Sequence, residues 1–162
     1  MVYEYRKKIK TLSEMMRIRE ELKKDRRILV FTNGCFDILH PGHVRLLERA
    51  SKLGDYLLVA VNSDESIQRL KGMKRPILPL EARLEMVSGL SMVDAVISFE
   101  EDSPLDLIEK IKPDVYVKGR GYKITEIPEI EKVMEYGGWV ALFPPLSQHS
   151  TTAVIEGIKK NA

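Results

Sequence analysis

Leu12, Met15, Met16, Ile18 and Leu22 recur at helical spacing among charged residues, and Thr11 or Ser13 is placed to cap the start. Residues 1–27 are therefore expected to form an amphipathic helix that covers the rest of the chain. The period then changes. Five short runs rich in β-forming residues follow, at 28–32, 56–61, 95–99, 115–117 and 139–143. Each is apolar on both faces, the pattern of strands in a parallel sheet sandwiched between helices. Between them, Val44, Leu47, Ala50 and Leu53 mark one helix, Leu80, Leu84, Val87 and Leu90 a second, and Leu105, Ile108 and Ile111 a third. Ser103 before Pro104 caps the third, and Ser150, Thr151 and Thr152 open a last helix ending near Lys160.

Strand and helix alternate throughout, without repeats or low-complexity tracts. The expected fold is α/β: one Rossmann-like, doubly wound, parallel five-stranded sheet with helices on both faces, occupying residues 28–162. In such sheets ligands bind beyond the carboxyl ends of the strands, where strand order reverses. Loops that follow strands are thus where chemistry is expected.

Composition narrows the function. The 162 residues suffice for one domain, and 44% hydrophobic with 31% charged residues allows a substantial core. A net charge of +2 with both signs interspersed is too even for a duplex-binding surface. No apolar run approaches the roughly 20 residues of a membrane span, and residues 1–27 are too charged for a signal peptide. Cys35 is the single cysteine, which suits a reducing cytoplasm. Neither nucleic acid nor membrane is expected as a partner; a second copy of the chain is left open.

The loop after the first strand reads Thr32-Asn33-Gly34-Cys35-Phe36-Asp37-Ile38-Leu39-His40-Pro41-Gly42-His43. It holds two of the three histidines and leads into a helix. Pro41 suits the first turn, Gly42 lets a ligand approach the backbone, and free N–H groups with the positive dipole end would attract phosphate. His40 and His43 flank that point and can donate to phosphoryl oxygens; the plainer alternative is that they cap a surface loop. No GxGxxG follows the strand and no GxxxxGK[ST] occurs, which argues against a dinucleotide-dependent oxidoreductase and a P-loop enzyme. Packing explains Cys35 better than nucleophilic chemistry does.

These residues resemble the signature of the nucleotidylyltransferase superfamily, in its cytidylyltransferase-like branch. The likeness continues through Val59-Ala60-Val61-Asn62-Ser63-Asp64, Arg69-Leu70-Lys71-Gly72, Arg75-Pro76, Lys118-Gly119, Gly137-Gly138 and Ser150-Thr151-Thr152. It spans about residues 28 to 160 and is similar to the adenylyltransferase domains of ADP-heptose synthases.

The resemblance implies that His40, His43 and Lys71 act on the triphosphate, with Gly42 making room for the nucleotide. Ser150, Thr151 and Thr152 would bind phosphate at a helix N-terminus, although plain caps would look the same. Lys71 and Arg75 bracket a Gly-containing, Pro-ended loop that would bring cations to the triphosphate, the alternative being a solvated charge run. Phe36 is assigned to the nucleotide site with its signature neighbour Asp37. Asp37, Asn62 and Asp64 stand at strand ends where Mg²⁺-phosphate or ribose would be held, or where they serve as turn formers. Lys118 is a candidate for substrate phosphate, whereas Arg83 is expected in a structural ion pair. No direct metal ligand is assigned.

The implied reaction is adenylyl transfer from ATP, with Mg²⁺, to a sugar 1-phosphate, foremost D-glycero-β-D-manno-heptose 1-phosphate. Cytidylyl transfer to glycerol 3-phosphate or a related alcohol phosphate is the alternative. Such relatives usually carry Arg-Thr-Glu-Gly where this chain has Leu146-Ser147-Gln148-His149. A non-catalytic nucleotide-binding module is a third reading, disfavoured because both histidines are present. One departure bears on the acceptor: heptose adenylyltransferases commonly show Lys-Gly-Gly-Asp-Tyr, and this chain reads Lys118-Gly119-Arg120-Gly121-Tyr122. Arg120 can only donate hydrogen bonds and prefers phosphate or carboxylate.

Overall fold

The computed structural model describes residues 3–119, 127–144 and 150–161. After a short 3₁₀ turn at Glu4–Lys8, helix α1 (Leu12–Lys24) begins at Thr11, whose hydroxyl accepts from the Glu14 N–H while Glu14 reaches back to the Thr11 N–H. This capping box satisfies two donors that a helix start otherwise leaves open. There follow β1 (Leu29–Gly34), α2 (Pro41–Ser51), β2 (Tyr56–Asn62), α3 (Asp64–Lys71), α4 (Leu80–Ser88) and β3 (Ala95–Phe99). The chain continues through α5 (Leu105–Ile111), β4 (Val115–Gly119), α6 (Pro128–Glu135), β5 (Trp139–Phe143) and α7 (Thr151–Asn161).

All five strands are parallel, in the order β3-β2-β1-β4-β5. The order reverses between β1 and β4, so the ligand crevice of a doubly wound sheet is expected above their carboxyl ends. Successive side chains of each strand go to opposite faces and build two cores. Leu29, Phe31, Leu58 and Tyr116 pack against α1, α5 and α6, which contribute Met15, Ile108 and Val133. Val30, Val59, Val96 and Val117 pack against α2 and α4, which contribute Leu47 and Val87. A fully buried aliphatic side chain of this kind is worth about 1.5 to 3 kcal/mol. At the sheet edge, Lys10 N–H donates to Val96 O, so the segment before α1 covers part of β3.

Three expectations need correction. Strand β5 is not buried on both faces, because it is an edge strand and its first residue, Trp139, is 77% exposed. The apolar pattern does not mark helices α3 and α6, which hold only Ile67 and Leu70, and Ile130, Val133 and Met134, too few to establish a period. Ser103 does accept from the Leu105 N–H, at 3.3 Å, but Pro104 rather than Ser103 occupies the position before the first helical residue.

Candidate active site

The signature loop is shaped from beneath. Phe36 has a left-handed backbone (φ 46°) and is 2% exposed; its ring lies against Gly34 and 5.1 Å from the His43 ring. Its side chain therefore supports His43 from the core side and offers a nucleotide almost no surface. His40 occupies the N-cap of α2 in extended backbone, with Nδ1 accepting from the Gly42 N–H at 3.1 Å. In the neutral ring that bond leaves the proton on Nε2, where it can be donated. The His40 and His43 rings stack at 3.8 Å.

The start of α2 differs from expectation in one respect. Pro41 has no N–H, Gly42 N–H is taken by His40, and His43 N–H reaches His40 O at 2.9 Å. The first-turn donors are already used, so what this helix start presents is the imidazoles and the positive end of its dipole rather than free N–H groups.

Asp37 is 1% exposed, and both its oxygens are engaged. Oδ2 accepts from Arg75 Nε at 2.7 Å, and Oδ1 from the Ile77 and Leu78 N–H groups at 2.8 and 3.0 Å. Asp37 thus ties the segment after α3 to the signature loop. Arg75 Nη2 is buried without a hydrogen-bond partner among the described residues. Lys71 is the exposed last residue of α3, followed by Gly72 at φ 94°, so it stands at the start of the 72–75 segment that Arg75 closes. No contact joins it to the histidines among the described residues.

Asn62 ends β2, buried, and donates to Ser66 Oγ at 3.0 Å. Asp64 is the first residue of α3, whose N-cap is Ser63, and accepts from Arg83 Nη2 at 2.6 Å. Arg83 is fully buried and also donates to the backbone oxygens of Cys35, Asn62 and Leu78. It therefore binds the ends of β1 and β2 and the 75–78 segment together.

At the other side of the crevice, Lys118 Nζ donates to Asn33 Oδ1 at 3.3 Å, and Tyr116 Oη donates to the same oxygen at 3.0 Å. Burial pushes the Lys118 ammonium below the ordinary lysine range, against the opposing pull of Glu129 and Cys35. Gly119 lies close to α2, since a Cβ there would be 3.0 Å from Leu46 Cδ2. Asn33 and Tyr116 were not singled out in the sequence; Asn33 stood in the signature segment without a role.

Helix α7 brings its N-terminus to the same loop. Ser150 Oγ accepts from the Ala153 N–H at 3.1 Å, and Thr151 Oγ1 donates to Ile38 O at 3.5 Å. Thr152 is exposed one residue further on. The structure thus assembles His40, Gly42, His43, Ser150 and Thr151 on one side, with Lys118 across the strand-order reversal. Arg120 and the segment 145–149 lie outside the described residues. A separate cavity of about 640 Å³ opens at the amino ends of the strands beside Trp139, away from the signature loop, with Arg19, Lys23, Lys112 and Asp114 in its lining.

Residues 31–157 match the family model described as cytidylyltransferase-like. The chain belongs to this family of nucleotidyltransferases. It is 45% identical over 150 residues to the "Bifunctional protein HldE" of Pseudomonas putida (strain GB-1), covering 93% of the chain and 32% of that protein. It is 51% identical over 133 residues to the protein of that name from Hahella chejuensis, covering 82% of the chain and 28% of the relative. The chain therefore spans about a third of the length of these curated relatives. Among solved structures, the lipopolysaccharide core biosynthesis protein of Thermoplasma volcanium GSS1 shares 35% identity at a TM-score of 0.62, over 76% of this chain and 99% of that one. Pantoate-beta-alanine ligase of Francisella tularensis has a TM-score of 0.63 at 15% identity, over 93% of this chain and 76% of that one, a likeness of fold alone. No helix among the described residues is long and apolar enough to cross a membrane.

Proposed function

We propose that this nucleotidyltransferase transfers the adenylyl group of ATP to a sugar 1-phosphate, D-glycero-β-D-manno-heptose 1-phosphate in the first instance, releasing pyrophosphate and leaving ADP-heptose. The observation that carries the reading is the stacked His40–His43 pair at the N-terminus of α2, beside the reversal of strand order. Identity to HldE proteins over most of the chain, and a solved relative named for lipopolysaccharide core biosynthesis, support the sugar-phosphate acceptor. ATP and the acceptor are its partners, and the cytoplasm is the compartment this reading assigns.

An oxygen of the acceptor phosphate attacks the α-phosphorus of ATP. The bond from that phosphorus to the bridging oxygen breaks, and its electron pair leaves with pyrophosphate. A phosphate monoester has its second pKa at about 6, so the nucleophile is already largely deprotonated at neutral pH. No general base is required, consistent with a site built from donors and cations. His40 Nε2–H and the His43 ring stabilise charge that builds on the transferring phosphoryl oxygens, and Ser150 and Thr151 hold the polyphosphate beside them. Lys118 meets the acceptor phosphate across the crevice.

Among the described residues no group of three or more His, Cys, Asp or Glu side chains is placed to hold a metal ion. The donor set fits Mg²⁺ only as the partner of ATP, ligated chiefly by phosphate oxygens and water; that ion would add charge neutralisation on the polyphosphate.

The test is pyrophosphate release with each of the four NTPs against a panel of sugar phosphates. ATP with heptose 1-phosphate is expected to give the highest kcat/KM. An equal or higher value with CTP would overturn the adenylyl assignment in favour of cytidylyl transfer.

A further inference from the structure

Asn33 bonds Lys118 at the carboxyl end of the β1–β4 pair, and the reaction as described gives Asn33 no role. Phe31 and Tyr116 belong to the core on the α1–α5–α6 face, so Asn33 and Lys118, each two residues further along its strand, turn to that same face. The histidines stand on α2, which packs on the opposite face through Leu47 and Ala50. Phosphate-binding groups therefore approach the β1–β4 crevice from both sides of the sheet.

Two donors, Tyr116 Oη and Lys118 Nζ, converge on one acceptor. Lysine can only donate, so the Asn33 amide must present its oxygen to both. A neutral oxygen fixes the direction of the ammonium without cancelling its charge, as a carboxylate at the same point would do. Glu129 of α6 and Cys35 of the signature loop are among the groups that act on that charge. Glu129 is itself 6% exposed and accepts from Ser103 Oγ at 2.7 Å.

We propose that Asn33 is a positioning residue for acceptor recognition: its amide oxygen, steadied by Tyr116, aims Lys118 toward the phosphate of the acceptor in the β1–β4 crevice. This rests on the sugar-phosphate reading above. It separates the two substrates spatially, with the triphosphate on the α2 and α7 side and the acceptor phosphate on the α5–α6 side.

The decisive variant is Asn33→Asp, nearly isosteric but anionic, with Asn33→Ala beside it and thermal melting to confirm that both fold. Asn33→Asp is expected to raise KM for heptose 1-phosphate by about tenfold or more while KM for ATP stays within about twofold, and Asn33→Ala to raise the acceptor KM less. An unchanged acceptor KM in Asn33→Asp, or equal rises in both KM values, overturns the proposal. A second measurement does not depend on turnover: the Lys118 Nζ resonance in ¹⁵N-lysine-labelled protein, titrated with inorganic phosphate. Phosphate should shift it in the wild type, and Asn33→Asp should require about tenfold more for the same shift. If that contrast holds but no sugar phosphate is adenylylated, the function assignment falls and the Asn33–Lys118 anion site stands. If the contrast is absent, the role of Asn33 is refuted whatever the enzyme turns over.

Discussion

Asp37 and Arg75, 38 positions apart in the chain, form a buried ion pair with Nε to Oδ2 at 2.7 Å, and the other Asp37 oxygen holds the Ile77 and Leu78 N–H groups. One carboxylate thereby fixes the path of the chain after α3 against the loop that carries both histidines.

Removing it should cost more than a surface pair would. Arg75 is 14% exposed, and truncating one partner of a buried pair typically costs about 3 to 5 kcal/mol, because the other charge is left uncompensated. Asp37→Ala is expected to lower unfolding free energy by about 3 kcal/mol in urea titration. Asp37→Asn should recover little, since its amide accepts at one oxygen only and would turn an N–H group toward Arg75. A wild-type midpoint for Asp37→Asn would show that the charge of the pair is not needed.

The two histidines should separate in their effects. Each alanine variant is expected to lower kcat by about 10² or more, the scale of losing one donor aimed at transition-state charge. His40 also caps α2, so His40→Ala should lose about 1 kcal/mol of stability besides, whereas His43→Ala should lose less. His40→Asn restores a good cap without restoring a ring. It should melt like the wild type and remain slow; wild-type turnover in that variant would end the phosphoryl role of His40.

Acid stability should depend on Asp114. Burial alone would raise its pKa, but hydrogen bonds from Arg19 and the Leu29 N–H, with the Arg19 charge, bring it below the ordinary value of 3.8. A carboxylate depressed in the folded state stabilises fully above its unfolded pKa and loses that contribution as pH falls through the folded value. Wild-type protein is therefore expected to lose stability below about pH 4 more steeply than Asp114→Asn, measured as unfolding free energy against pH. Parallel curves would mean that Asp114 does not carry the linkage.

The strand segments, the placement of α2 after the first of them and the histidine signature were legible from the chain because each is a local pattern. β-Branched runs, an apolar period and a proline in a first turn need no distant partner to be read. β3 and β5 begin and end where the periodicity put them, and β1, β2 and β4 are displaced or extended at their ends by one or two residues. Polar partnerships were not legible in the same way. Asp37 could be seen as a turn former or a phosphate-site residue, but its two bonded oxygens depend on Arg75, Ile77 and Leu78 folding back onto it. Asn33 acquired meaning only when β4 came to lie beside β1 and delivered Tyr116 and Lys118 to one oxygen. The donors at the start of α2 looked open until His40 turned its ring onto Gly42. A side chain's hydrogen-bond capacity is written in its residue type, but which group uses that capacity is settled by chain crossings and burial, where an unmade bond is expensive. The sequence thus specified the sheet and the chemical groups at its carboxyl edge, and tertiary structure decided which of those groups support the site and which remain to meet a substrate.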